Sequence, residues 1–326
     1  YKRQLENDPK DQRLRLQYAR LLSVSDLPAA RQQFEILSAQ SPRDGDLLLS
    51  LALINREIGD DLTAKAYLRQ MLSLGQRTDE AHYYLGRIAE DGGDEDAALG
   101  HYNQVQDGRE LLSAAQRAGI ILVGKGALEE SHAGFERRRR AHPQQGEQLY
   151  ALEADLLTQA GELDAAMDIL NKALHEYPES NSLRYSRSML GEQRNDLALM
   201  ERDLRSIIDR DPDNATALNA LGYTLANRTD RYEEAYTLIA RALELQPDEP
   251  AILDSMGWIL YRKGDYSGAL EYLTRAYARF PDPEVAAHLG EVLWVSGDTE
   301  GAIRVWQGAV MKSPDHEILV ETINRL

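Results

Sequence analysis

Seven histidines are the first residues to test for chemistry in this 326-residue chain: His82, His101, His132, His142, His175, His288 and His316. A zinc hydrolase helix needs two imidazoles four apart on one face, and no two of these lie three or four apart. No Gly-x-Ser-x-Gly elbow presents a nucleophile. The nearest phosphate loop is Gly119-Ile-Ile-Leu-Val-Gly124-Lys125-Gly126, which lacks the Ser or Thr that would hold magnesium and has no strand before it. Lys125 is therefore expected to be dispensable. Asp and Glu number 54, so close pairs arise by chance and spacing alone nominates no catalytic carboxylates. With no cysteine, disulfides, thiol chemistry and cysteine metal sites are excluded, while cytosol and periplasm both stay open. The residues point to no enzyme, no cofactor and no metal.

A net charge of −17 argues against nucleic acid, whose phosphates demand a positive surface. One basic run stands out, Arg137-Arg138-Arg139-Arg140. It reads either as a solvated helix C-terminus, where cations offset the helix dipole, or as a docking patch for an acidic partner. No apolar run approaches the roughly 18 residues of a membrane span.

The elements that would carry these residues are set by a ladder of prolines. Pro143, Pro178, Pro212, Pro247, Pro281 and Pro314 are separated by 35, 34, 35, 34 and 33 residues. A period this regular marks a repeat of two helices and a turn. With each proline as position 32, position 20 is Ala166, Ala235, Ala269 and Ala302, and position 24 is Phe135, Leu170, Leu204, Ile239, Leu273 and Trp306. Gly222, Gly257 and Gly290 stand at position 8 of the last three repeats. Antiparallel helices approach closely only where one surface is small, so Gly at 8 and Ala at 20 mark the crossing and bulky groups at 24 fill the space beside it.

Nine repeats follow from this register: 11–42, 43–77, 78–108, 109–143, 144–178, 179–212, 213–247, 248–281 and 282–314. The repeats are less regular over 1–143 and regular over 144–326. Residues 315–326 read as a capping helix, and 1–9 as the tail of a helix whose partner lies outside the chain, which is expected to be cut from a longer protein. Two repeats break the pattern. The third is short, its second helix ending at Gln104–Gly108 without a proline. The sixth has Ser188 at position 8, Gly191 at position 11 and Met200 where a small residue belongs. Altered stacking is expected near 104–112 and 188–200.

Leu-Gly-Tyr from 221, Met-Gly-Trp-Ile-Leu-Tyr-Arg-Lys-Gly-Asp-Tyr from 256 and Leu-Gly-Glu-Val-Leu-Trp from 289 closely resemble the tetratricopeptide repeat family. The resemblance is strong over 144–314 and looser over 11–143. It implies an all-α, right-handed superhelical solenoid of about nine helix pairs with a C-terminal capping helix, acting as a scaffold without catalysis. In that family positions 2, 5, 9, 12 and 13 of the first helix face a groove. Mapped here, the groove residues are Asn219, Tyr223 and Asn227, then Asp254, Trp258, Tyr261 and Arg262, then Glu291 and Trp294, with His288 adjacent. Tyr83, Arg87, Glu90, Gln116, Asp155, Tyr185 and Met189 line earlier repeats. The Trp and Tyr rings are either exposed binding anchors or packed against the next first helix to close the wall. The Lys/Asn/Arg set that clamps a C-terminal carboxylate in some members is not assembled.

The C-terminal third further resembles bacterial tetratricopeptide lipoproteins of the outer membrane, in particular adaptors of a periplasmic carboxyl-terminal processing protease. That resemblance implies protein partners, the protease and substrates such as peptidoglycan cross-link hydrolases, on the periplasmic face of the outer membrane. Membrane contact would come only from an N-terminal lipid anchor outside this sequence. The alternative is a scaffold for secretion, polysaccharide export or pilus assembly with no protease.

Overall fold

The computed structural model describes residues 1–326, except for the side chains at positions 2 and 6. The described residues form helices and turns without a strand. A short helix, α1 (Lys2–Asn7), precedes nine helix pairs. They are α2 (Gln12–Ser25) with α3 (Leu27–Gln40), α4 (Gly45–Ile58) with α5 (Asp61–Leu74), and α6 (Thr78–Asp91) with α7 (Glu95–Tyr102). Next come α8 (Leu111–Gly124) with α9 (Leu128–Ala141), α10 (Gly146–Gln159) with α11 (Leu163–Glu176), and α12 (Asn181–Gln193) with α13 (Leu197–Arg210). The last pairs are α14 (Ala215–Arg228) with α15 (Tyr232–Leu245), α16 (Pro250–Arg262) with α17 (Tyr266–Arg279), and α18 (Pro283–Val295) with α19 (Thr299–Val310), followed by α20 (Glu317–Arg325). The nine expected pairs and the terminal helix are all present.

Local sequence explains the turns within most pairs. In five of the nine the first helix is followed by a left-handed residue, a conformation that glycine adopts without strain, and the second begins on an aspartate that caps it. Gly264 has φ +87°, and the Asp265 carboxylate accepts from Gly268 N–H at 2.9 Å. In the sixth repeat Asn195 takes the left-handed place at φ +61°, a conformation that Asn tolerates better than most.

The chain packs as two compact units, Tyr1–Ala173 and Leu174–Leu326. In the second, Met200, Leu204, Leu221, Leu225, Ala235, Ile239, Met256 and Ile259 form one buried core. The expected crossing is there: a Cβ built on Gly257 would lie 2.5 Å from Leu273 Cγ and 3.1 Å from the Ala269 carbonyl. Leu319 of α20 is buried with Ala286, Ala287 and Trp306, so the terminal helix covers the apolar face of the ninth repeat.

Both irregular repeats are accommodated locally. In the sixth, Met200 and Ser188 are buried, and the small residue is displaced one turn, a Cβ on Gly191 meeting Leu199 and the Asp196 carbonyl at 3.3 Å. Asp203, buried in the same pair, is held by Arg187 at 2.7 and 2.9 Å. In the third, α7 stops at Tyr102, slightly before the expected end. The fourth repeat then supplies the donors that the shortened helix needs: Arg138 Nη2 donates to the Tyr102 carbonyl at 3.0 Å, and a His142 ring nitrogen meets the Gln106 carbonyl.

Candidate functional site

The four arginines at 137–140 do not share a surface. Arg137 and Arg140 are exposed, while Arg138 and Arg139 are buried. Helix periodicity requires this, because four consecutive residues of α9 spread over about 300°, most of a turn, and so point to different faces. Besides the Tyr102 carbonyl, Arg138 donates to the Gly134 carbonyl. Burial pushes its guanidinium down to about 10, with Arg137 adding to the effect. Arg139 lies 4.0 Å above the Tyr150 ring and pairs with buried Glu153 at 2.5 Å. Both readings of the run as one solvated patch are therefore corrected: its two central members tie repeats together inside the first unit.

The phosphate-loop imitation also resolves into repeat structure. Gly119 lies within α8 and Gly124 is its last residue. Lys125 is paired with Asp96 at 2.8 Å and Glu95 at 3.4 Å.

Within the second unit, a cleft of about 780 Å³ opens along the first helices of repeats six to nine. α12 contributes Tyr185, Met189 and Glu192, and α14 contributes Thr216, Asn219, Ala220, Tyr223 and Thr224. Gln246, Glu249 and residues 250–252, 254 and 255 come from the turn before α16 and from α16 itself, Phe280 from the turn after α17, and Asp282, Glu284 and Val285 from the start of repeat nine. First helices line it because every position i, i+4 and i+7 on them falls on one face.

Of the residues nominated from sequence, Asn219, Tyr223 and Asp254 line this cleft, as do Tyr185 and Met189 from the earlier repeat. Asn227, Trp258, Tyr261, Arg262, Glu291 and Trp294 do not. Trp258 is only 7% exposed and stacks on His288 of the next first helix at 4.2 Å. Trp294 is half-buried and packs on Trp306 at 5.8 Å. The Tyr261 hydroxyl donates to buried Glu291 at 2.9 Å, and Arg325 of α20 donates to the same carboxylate at 2.6 Å. Arg262 donates to the Tyr232 hydroxyl at 2.6 Å. These side chains form a seam between successive helices. For Trp258 the wall-closing alternative holds, because first helices of neighbouring repeats lie close enough for one large ring to span them.

The seam contains a buried ion pair. His288 Nδ1 lies 2.9 Å from Asp254, both groups nearly inaccessible to water. Burial alone would lower the imidazole, but the Asp254 carboxylate, with Glu284 and Glu291 beyond it, overcomes this and raises it above the usual histidine range. At the cleft wall the Tyr223 hydroxyl donates to Glu284 at 2.6 Å. Burial and that neighbouring carboxylate raise the phenol far above its ordinary value. Burial likewise raises Glu192; the Glu284 charge adds to this, and Arg228 and a Thr224 hydrogen bond only partly oppose it.

Glu192, Glu284, Thr216 and Phe280 are cleft residues that the sequence reading did not name. A signal existed for three of them. Thr216 and Glu284 occupy position 2 of their repeats and Glu192 position 12, all among the groove-facing positions. Phe280 lies in the turn after α17, where the positional rule is silent.

Comparison with known proteins agrees with this architecture. Family models described as tetratricopeptide repeat match residues 62–111, 146–180, 213–282 and 255–317, together more than half of the chain. A curated TPR repeat-containing protein of Pseudomonas aeruginosa is 49% identical over 209 residues, which is 64% of this chain and 35% of that protein. The chain thus spans about a third of the length of this relative. A solved tetratricopeptide repeat protein from Parabacteroides merdae superposes with a TM-score of 0.55 at 17% identity, covering 76% of this chain and 98% of that one. A thermophilic TPR protein of Thermus thermophilus gives 0.49 at 19% identity, covering 55% and 97%. Repeat period, paired helices, close-approach glycines and matching family models agree, and the chain belongs to the tetratricopeptide repeat family.

Proposed function

We propose that this chain is a non-catalytic adaptor that holds a segment of a partner protein in the cleft of repeats six to nine. The observation that carries the reading is the cleft itself, built from consecutive first helices, in which Met189, Ala220, Ile252, Phe280 and Val285 stand beside five carboxylates. Such folds generally present surfaces and perform no chemistry. The finer reading rests on the resemblance of repeats seven to nine to outer-membrane adaptor lipoproteins. On that reading the partner is a periplasmic carboxyl-terminal processing protease, which the adaptor binds and activates, and the delivered substrates include peptidoglycan cross-link hydrolases. Holding two proteins on one scaffold raises their effective concentration without any new chemistry.

The test is reconstitution. The purified chain, such a protease and a cross-link hydrolase are combined, and hydrolase loss is followed over time. The chain should accelerate cleavage, cleave nothing alone, and lose part of its effect as Phe280→Ala. Absence of binding to either protein, together with an unchanged cleavage rate, would overturn the adaptor reading.

A further inference from the structure

No Lys, Arg or His is among the described residues that line the cleft, whereas Glu192, Glu249, Asp254, Asp282 and Glu284 all are. Asp254 is committed to His288 and Asp282 caps α18 by accepting from Glu284 N–H at 2.9 Å. Glu192 and Glu284, on the first helices of repeats six and nine, feel each other's charge; Glu284 accepts only from the Tyr223 hydroxyl at 2.6 Å, and Glu192 has the Thr224 hydroxyl and the Arg228 charge nearby. Elsewhere in this unit comparable acids sit against guanidinium groups, as Glu201 does with Arg231 at 2.9 Å and Asp203 with Arg187 at 2.7 Å. Two further observations concern the uncharged wall. Phe280 is 57% exposed at the mouth, a large ring with no need to face water in the free chain. Asn219 Oδ1 is shielded from solvent and has no hydrogen-bond partner, so a shielded acceptor stands on the lining.

We infer that the cleft takes an extended cationic segment of a partner protein, a Lys or Arg side chain lying between Glu192 and Glu284 and an apolar side chain on Phe280. This rests on the reading of the cleft as a protein-binding groove and adds the chemistry of its occupant. A cation between the two carboxylates relieves their mutual repulsion and favours the ionised form of Glu192, which burial otherwise disfavours. An acidic segment would bring like charge into a half-buried acidic wall, and a second copy of this chain, at net charge −17, is poorly suited to it.

The experiment measures anisotropy of three short fluorescein-labelled peptides of one length: alternating apolar and Lys/Arg, apolar and Glu, apolar and Ser. Each is titrated with the wild-type chain, with the double variant Glu192→Gln/Glu284→Gln, and with Phe280→Ala, alongside melting curves. The basic peptide should bind tightest, weaken with salt, and lose roughly tenfold or more in affinity to the double variant. Glu192→Gln alone should melt no lower than wild type, because it removes a charge that the fold disfavours. Neutral or acidic peptides binding as tightly as the basic one, all weakened by Phe280→Ala, would overturn the cationic preference and leave the groove. Failure of every peptide to bind would overturn the inference. Undiminished binding of all peptides by Phe280→Ala would overturn the groove reading as well.

Discussion

Replacing Trp258 by Ala should damage the fold of the second unit. The indole is 93% removed from water, since 7% of the residue remains exposed. About 200 Å² of mostly apolar surface at about 25 cal/mol/Å² gives about 5 kcal/mol for its burial. The ring N–H is buried without a partner, which offsets about 1–2 kcal/mol. The remainder, about 3–4 kcal/mol, falls within the ordinary cost of truncating a buried tryptophan. Loss of the ring also uncovers His288, which stacks on it at 4.2 Å, and admits water to the Asp254 pair. For a unit of this size the melting temperature should fall by about 10 °C. Circular dichroism melts of Trp258→Ala beside Phe280→Ala provide the contrast, because the exposed Phe280 ring contributes little to folding and its variant should melt within about 2 °C of wild type. A Trp258→Ala protein that melts like wild type yet fails to capture a partner would refute the packing argument and restore Trp258 as an open anchor.

Gly257→Ala should cost about 1–3 kcal/mol, because its Cβ would press on Leu273 Cγ at 2.5 Å. Gly308→Ala, whose nearest neighbour is the Tyr277 hydroxyl at 3.8 Å, should stabilise by up to about 1 kcal/mol through helix propensity; urea midpoints check both. Arg138→Met should cost about 1–2 kcal/mol by removing a buried donor to the Tyr102 and Gly134 carbonyls, the former keeping only the Val105 N–H at 3.3 Å. It should also speed amide exchange over residues 103–110 relative to the rest of the first unit. His288 has a raised folded pKa, so its stabilising contribution is complete below the unfolded value of about 6.5 and is lost as pH rises through the folded one. The stability of the wild type relative to His288→Asn should therefore shrink with increasing alkalinity, and an advantage that grew instead would refute the ion-pair account.

Nine helix pairs were legible from the period, and in the regular repeats the close-approach residues were legible too, because each carries a small residue at 8, another at 20, a bulky one at 24 and a proline beyond. What lies between periods was harder to read. Position 9 of a first helix faces the groove side, but whether Trp258 meets solvent or the next helix depends on interhelix distance, which no residue type reports by itself. Arg138 shows the same limit more sharply. Its role follows from the shortened α7 of the preceding repeat, whose last carbonyl, met locally only by the Val105 N–H at 3.3 Å, also accepts from a guanidinium 36 residues away. The short repeat and the arginine run were each visible in the sequence, but only their juxtaposition turns a charge run into an internal brace. The cleft is legible only in part, because its opposing acids are separated by three repeats and by a turn residue, Phe280, outside the helical register.

The seam and the cleft together explain how one face of the second unit can be both rigid and unsatisfied. Asp254 pairs with His288, Glu291 with Tyr261 and Arg325, and Trp258 stacks on His288 between first helices. Those contacts join α16 to α18, and the Tyr223–Glu284 bond joins α14 to α18. On the lining itself the same economy is absent. Glu192 has an ionised form that burial disfavours, Glu284 adds to the penalty, Asn219 Oδ1 has no donor, and Phe280 is left in water. The Glu192 charge and the exposed Phe280 ring raise the free energy of the empty protein, and both are relieved by one occupant that brings positive charge and an apolar side chain. Glu284 and Asp254 on the same lining already have partners in Tyr223 and His288, so the unmet demand is concentrated at Glu192 and Phe280, where a partner can remove it.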